Sequence, residues 1–583
     1  MINSIKIRKG AVASVLTGVF TLVGVSCKDN FLSVAPTGQL TNAQLTSNPG
    51  IQSLLISTYA SLNGRDFGWF GSSFNWLWGS VTGGDANKGS NAGDQSTAVF
   101  IQNFTVIPTT GPTNDKWSGM YDGVSRANNV LRILANAGPD VTPAIKTNVT
   151  GQARFLRGHY YFELKRLFNM VPYVDESVDY GAGIQAVKND QDIWPKIEAD
   201  FKYAYDNLPE TQDAAGRANK WAAASYLAKT YMYQRKFAEA KALFDLIIAN
   251  GKTANGKKYA LMANYPDLFN AAFSNNEEAI FAIQNAANTG SVANANPDMV
   301  LNFPYNGGPA GCCGFFQPSF EMANSFRVNA NGLPLLDGSY NTGANQLKTD
   351  QGIASKDPFT PDAGPLDPRI DYSIGRRGIP YLDWGPHPGL DWIREQTYGG
   401  PFAPKKFVYP KAQEKTLTDG SSWTSGYTTI NFNIIRYADV LLMAAEAEIE
   451  LGNLERARTL INQVRTRAAN ANAFVKGTDG KPAANYVISP YATAFASADA
   501  ARQAVRFERK LELSGEGHRF FDLVRWGVAA PTIQAFLAYE KSKLPGTYAD
   551  AQFTAGKNEY MPIPQTQIDR QGPTVLMQNK GYQ

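Results

Sequence analysis

Apolar residues recur at helical spacing through much of the chain. Ile51, Leu54, Leu55, Tyr59 and Leu62 share one face of a helix opened by Pro49, with Ser47 or Asn48 as its cap and Gly64 as its stop. Trp117, Met120, Tyr121, Val124, Val130, Leu131 and Leu134 form a second stripe. Phe155, Leu156, Tyr160, Leu164 and Leu167 form a third, with Arg154, Arg157, Lys165 and Arg166 on the remaining faces. Ile193, Ile197, Phe201, Tyr205 and Leu208 form a fourth that Pro209 ends. The pattern then repeats itself. Ala228, Phe237, Ala240, Phe244 and Ile247 have the spacing of Ala445, Leu454, Ala457, Ile461 and Val464 at an offset of 217 residues. A short turn joins the two helices of each copy, Gln234-Arg235-Lys236 in one and Leu451-Gly452-Asn453 in the other. Alanines at fixed places let helices approach closely, as tetratricopeptide-like hairpins require.

Between about 288 and 430 the period is lost, apart from a short run near Phe320–Phe326. Gly307, Gly308, Gly311, Gly314, Pro358, Pro361, Pro365, Gly385 and Gly389 punctuate this stretch. A structureless loop of that length is uncommon in a compact domain, so the segment predicts a loop-rich subdomain built on the helices, where binding residues concentrate. Helical spacing returns from 431 to about 528, broken at 476–489, and the tail from Glu559 reads as extended and polar. The expected fold is mainly α. Residues 48–583 form a single domain: a tetratricopeptide-like helical hairpin scaffold over about 48–287 and 431–528, a large loop-rich insertion over 288–430, and an extended C-terminal tail.

Length alone, 583 residues, suggests about four domains at roughly 150 residues each; the continuous pattern reduces that to one large one. A net charge of +4 is no footprint for nucleic acid. Three histidines and three cysteines exclude zinc-finger arrays and a disulfide framework. His159, His387 and His518 are scattered, and no nucleophile elbow, H-E-x-x-H or phosphate loop occurs. No metal or cofactor is expected. The densest ionisable run is Glu508, Glu512, Glu516, Arg519, Asp522 and Arg525. Its carboxylates at i,i+4 crudely meet the spacing of a glycoside hydrolase, but the interleaved arginines point to neutral ion pairs at a packed helix junction.

The N-terminus begins with Lys6, Arg8 and Lys9, then an apolar run from Ala11 to Val25, then Ser26-Cys27. This order predicts a secretory leader over 1–26 and an acylated Cys27 that anchors a tether over 27–47; the alternative is an ordinary signal peptide with a chance cysteine. No later stretch of eighteen apolar residues follows, so the expectation is a chain anchored to a membrane without spanning it.

Several segments, in order, resemble the SusD/RagB family of outer-membrane glycan-binding lipoproteins. They are CKDNFLSVAPTGQLT from Cys27, WSGMYDGVSRANNVL from Trp117, GQARFLRGHYYFELKRLFNMVPYV from Gly151 and NEEAIFAIQ from Asn276. LDPR from Leu366, IRYADVLLMAAEA from Ile435, FERKLELSGEGHRFFDLVRWG from Phe507 and YMPIP from Tyr560 continue the series. Lys28-Asp29 is similar to the short charged signal of surface-exposed lipoproteins. The resemblance implies a SusD-like fold, a place on the extracellular side of the outer membrane, and glycan binding without catalysis. It also implies a partner, a SusC-like TonB-dependent transporter to which captured oligosaccharide is delivered, and a ligand held by loops from two parts of the chain.

A sugar presents hydroxyls and a less polar C–H face, so its site needs flat aromatic surface and a few planar polar groups. Residues 67–95 offer Trp76, Asp85, Lys88, Asn91 and Asp94. Trp69, Phe70, Phe74, Trp76 and Trp78 crowd together so closely that some must be core, and Asp85 and Asp94 have turn capping or calcium as alternative uses. The second region offers Tyr305 and, within 375–394, Arg376, Arg377, Asp383, Trp384, His387 and Trp392. Trp384 and Trp392, flanked by glycine and proline, are the expected stacking rings. Cys312-Cys313 stands in the same region as either a vicinal disulfide or two packed thiols. Two rival functions remain: a surface glycoside hydrolase using carboxylates near Asp383 and Asp391, and a helical-repeat adaptor that binds only the transporter.

Overall fold

The computed structural model describes residues 41–64, 67–181 and 183–583. The leader, Cys27 and most of the 27–47 tether lie outside the described residues. Helix α1 (Asn48–Ala60) starts as its sequence dictates, with the Ser47 side chain accepting from the Gly50 amide and Pro49 in the first turn. Gly64 closes the turn after it at φ 63°, a conformation glycine adopts without steric cost. Helices α2 (Gly111–Ala135), α3 (Pro143–Phe168), α4 (Trp194–Asn207), α5 (Lys220–Tyr233) and α6 (Phe237–Asn250) follow, each packed on its predecessor. Close approach has a local cause between α2 and α3: a Cβ at Gly123 would sit 2.4 Å from the Tyr160 ring.

The duplicated hairpin is realised. Helices α7 (Tyr437–Glu450) and α8 (Leu454–Ala468) repeat α5 and α6, and α6 packs on α7 across the long excursion between them. Ala228, Ala240, Ala445 and Ala457 are fully buried at these contacts. Helices α9 (Ala498–Glu512), α10 (Arg519–Arg525) and α11 (Ala529–Lys543) complete the scaffold. The fold is mainly α and tetratricopeptide-like.

Two boundaries differ from the sequence reading. The last α-helix of the first half ends at Asn250, not near 287, and Tyr265, Leu268 and Phe269 fill a small separate core from a short 3-10 helix instead of extending an α-helical stripe. The last helices run past 528, and the tail is packed: Met561, Ile563, Ile568 and Leu576 are buried, and Gln565–Gln571 is helical.

Between α6 and α7 the chain makes only short elements. Strand β3 (Phe315–Pro318) of this excursion pairs antiparallel with β1 (Ala86–Gly89), which lies ahead of α2; β2 (Ala279–Ile283) pairs antiparallel with β6 (Phe432–Arg436), and β4 (Ile374–Gly375) with β5 (Ala403–Pro404). A compact second core of Phe303, Tyr381, Ile393, Ala403, Val408, Tyr409 and Ile430 supports the loops.

The charged run is interior. Arg369 bonds Asp367, Glu508 and Glu512; Arg436 bonds Glu278, Glu512 and Glu516; Arg465 bonds Glu508, and Arg467 bonds Glu278 and Glu512. Arg509 and Arg525 share Asp522. These carboxylates tie α8, α9 and α10 to β6 and the loop subdomain, and none of Glu508, Glu512 and Glu516 is open to a substrate.

Candidate functional site

The β1–β3 ladder joins the two loop regions that the sequence marked, with Gly89 opposite Phe315 and Asn87 opposite Gln317. Immediately beyond it the Ser90 amide donates to the Gly314 carbonyl at 2.5 Å. Arg394 then bridges the regions: one guanidinium nitrogen reaches Ser90 Oγ at 2.8 Å and Asp94 Oδ2 at 2.5 Å. The same guanidinium lies over the Tyr305 ring at 5.1 Å, and the Tyr305 amide donates to the Trp392 carbonyl at 2.9 Å. Tyr305, Arg394, Asp94 and Asn91 are partly exposed, so this seam presents a ring, a guanidinium and two planar polar groups to solvent.

The tryptophans are held by their edges. Trp392 meets Tyr381 edge-on at 5.5 Å and His387 at 5.2 Å. Trp384 donates its indole N–H to the Tyr409 carbonyl at 3.0 Å and sits 5.6 Å from Lys411 Nζ. Both pack on the second core while remaining partly exposed. An indole whose polar atom is satisfied within the protein offers its remaining surface as apolar area.

Six expected residues are removed from this face by burial. Trp76 is 1 % exposed and its N–H is spent on the Trp69 carbonyl; of the five crowded rings only Trp69 is more than marginally accessible. Asp85 borders an interior cavity of about 40 Å³ shared with Lys405 and Lys406, accepts from the Gly515 amide, and is pushed up to about 6 by burial. Lys88 is fully buried; its ammonium donates to the Asn91 and Asp94 carbonyls, both at 2.7 Å, and burial draws it down to about 8. Arg376 forms a two-pronged pair with Asp371 at 2.6 and 2.7 Å. Arg377 is consumed by the Ser355 and Asp357 carbonyls. His387 is buried, accepts from the Gly389 amide, and is drawn down to about 3 by burial and then by Lys405. These groups shape the loops; they have no surface for a ligand. Asp383 is exposed, but both of its oxygens accept from the Lys411 and Ala412 amides, so it caps a turn. Asp94 serves the Arg394 bridge in place of a calcium loop.

The structure adds residues that the sequence reading passed over. Arg394 closed the second segment without an assigned role. Trp423 is 56 % exposed and meets Tyr427 edge-on at 6.4 Å. Its signal is its surroundings, SSWTSG, which hold no apolar neighbour for an indole to pack against. Cys312 and Cys313 are joined in a vicinal disulfide.

Comparison with known proteins turns on the C-terminal half and more: residues 277–582 match the model described as the SusD family. The chain belongs to the SusD family. Residues 74–232 also match a SusD-like model described as starch-binding and associating with the outer membrane. Among SusD-family relatives, SusD-like protein P2 of Formosa agariphila is 25% identical over 601 residues, covering 97% of this chain and 98% of its own. SusD-like protein P25 of the same organism is 25% identical over 438 residues, 72% of this chain and 71% of its own. A laminarin binding SusD-like protein superposes with a TM-score of 0.63 at 25% identity, over 92% of this chain and 100% of that one. Surface glycan-binding protein A from Bacteroides thetaiotaomicron, solved in complex with laminarihexaose, shares the fold with a TM-score of 0.63 at 22% identity, over 92% of this chain and 100% of its own. Among the described residues no helix is long and apolar enough to cross a membrane.

Proposed function

We propose that this SusD-family chain is a glycan-binding protein of the outer-membrane surface, anchored through a lipid on Cys27, that captures oligosaccharide on its loop face. The observation that carries the reading is the seam where the Tyr305 ring lies beside the Arg394–Asp94 pair, next to the second core on which Trp392 and Trp384 sit partly exposed. That combination meets both halves of a sugar, its C–H face and its hydroxyls. The laminarin-binding relative and the starch-binding family description support the same ligand class. On this reading the chain performs no catalysis and delivers what it captures to a SusC-like TonB-dependent transporter. The interior ion pairs support the first point: Glu508, Glu512 and Glu516 are neutralised and shielded from solvent. Asp383, one of the two loop carboxylates of the rival hydrolase, is occupied by backbone amides.

The test is isothermal titration against a panel of laminarihexaose, maltohexaose, xylohexaose and an alginate hexamer, using the wild type, Trp384→Ala and Trp392→Ala. A bound panel member whose affinity falls about tenfold, ~1.4 kcal/mol, in at least one variant is the expected result. Unchanged affinity in both would remove the seam as the site. Release of reducing ends on prolonged incubation would favour the hydrolase, and co-purification with a transporter without response to any glycan would favour the adaptor.

A further inference from the structure

From Gly307 to Gly314 the chain reads GGPAGCCG, eight residues without a polar side chain. Gly311 is nevertheless exposed and Cys312 partly so. The loop is held in place from several sides. The Ala310 amide donates to the Tyr409 hydroxyl at 3.0 Å, and the Ala310 carbonyl accepts from Thr424 Oγ1 at 2.8 Å. The Gly314 amide donates to the Phe303 carbonyl at 2.8 Å, while Cys313 is buried. Gly311, at the apex, has φ 67°, and a Cβ there would meet nothing within 4 Å. Trp392 lies on one side, where a Cβ on Gly308 would come within 3.2 Å of its indole. Trp423, 56 % exposed, directly precedes the Thr424 whose hydroxyl bonds the Ala310 carbonyl.

An exposed apex that offers water no side-chain hydrogen bond, is open above, and is fixed below suits close approach by a partner to the backbone. Sulfur adds polarizable apolar surface, and the bond between Cys312 and Cys313 removes the rotation that two thiols would have. We propose that the Cys312–Cys313 disulfide is itself a ligand-contacting platform beside Trp392, on which the C–H face of a sugar rests. The proposal depends on the glycan-binding reading and adds to it a contact that is present only in the oxidised protein.

The experiment repeats the titration with the panel member that the wild type binds best. One sample is treated with a water-soluble phosphine, which takes an oxygen from water as the S–S bond accepts two electrons and two protons; the thiol count of the chain must rise by two. A Cys312→Ser, Cys313→Ser variant removes the bond permanently. Gly311→Asn keeps the bond, tolerates the positive φ, and places an amide in the open space above the loop. Each is expected to weaken binding about tenfold, with the melting temperature of Gly311→Asn unchanged. Wild-type affinity in Gly311→Asn, or in reduced protein that still melts cooperatively, would overturn the platform; if Trp392→Ala still binds weakly, the glycan-binding reading survives. Absence of binding to every panel member by the wild type would overturn both.

Discussion

Arg436→Met is expected to lower stability by about 3–5 kcal/mol, the range for breaking one partner out of a buried ion cluster. All five guanidinium N–H groups are in use: Nε to Glu516 Oε2 at 2.7 Å, Nη1 to Glu278 and Glu512 at 2.8 and 2.7 Å, and Nη2 to the Glu512 carbonyl and Glu516 Oε1 at 2.8 and 2.9 Å. Methionine fills the volume and leaves three buried carboxylates short of charge. At about 2 cal/mol/K of unfolding entropy per residue, a unit of this length loses about 1 °C per kcal/mol, so the melting temperature at pH 7.5 should fall by roughly 3–5 °C. The pH dependence identifies the cause. Burial pushes the Glu512 carboxyl up, and Arg467, Arg436 and Arg369 outweigh it, holding it well below the ordinary range. Burial and the opposing Arg436 and Lys406 act likewise on Glu516, which is also lowered. A depressed carboxylate contributes stability above its unfolded value that is lost only as pH falls through the folded one. Without Arg436 the same groups take up protons at higher pH, so the gap between variant and wild type should narrow from pH 7.5 to 5.0. Calorimetry at the two values decides it. An equal gap at both would mean lost packing, not lost charge, and no gap at either would refute the network argument.

Trp423→Ala should change stability by less than ~0.5 kcal/mol yet weaken glycan binding, whereas Trp76→Ala should cost about 3–5 kcal/mol because its ring is core; urea titration beside calorimetric binding separates them. Arg394→Ala removes a half-exposed pair worth at most about 1 kcal/mol, so its effect on urea midpoint should be small while the loosened seam weakens binding. Burial is the main cause that draws His159, His387 and His518 from 6.5 to about 3. The unfolded chain therefore takes up protons below pH 6.5 that the folded one refuses, and stability should fall as pH drops from 6.5 toward 3. His387→Leu should lessen that slope by up to about 1.4 kcal/mol per pH unit, read from urea midpoints at pH 6 and 4.5.

The helices were legible because their signals are local. Pro49 and the Ser47 cap, the Gly64 stop and the repeated alanines each act within a few residues, and the hairpin offset fell on helices that begin at Lys220 and Tyr437. The tail was misread because its apolar residues are sparse: Ile563, Ile568 and Leu576 show no period, yet each finds a pocket. At the site, residue type was legible and burial was not. Arg376 and Arg377 look alike in a glycine-flanked loop, and only the folded chain brings Asp371 to one and the 355–357 carbonyls to the other. Trp76 and Trp423 differ in the same way: the first lies among rings that claim it, the second among serines and threonines that cannot.

The β2–β6 ladder has a use beyond tying off the excursion. It sets Ile283 beside Phe432, so the chain departs from and returns to the scaffold at one doorway, and further lengthening of the loop between them adds only about 0.6 kcal/mol per doubling. That makes the stretch from 284 to 431 a cartridge. A graft exchanged at those two strand ends changes what the face recognises, provided it keeps Arg369 and Lys406, which neutralise Glu508, Glu512 and Glu516 of the scaffold, and Glu321, which pairs with Lys510; the short Ser90–Asp94 segment must travel with it, since Arg394 and Gly314 are cut to fit that piece.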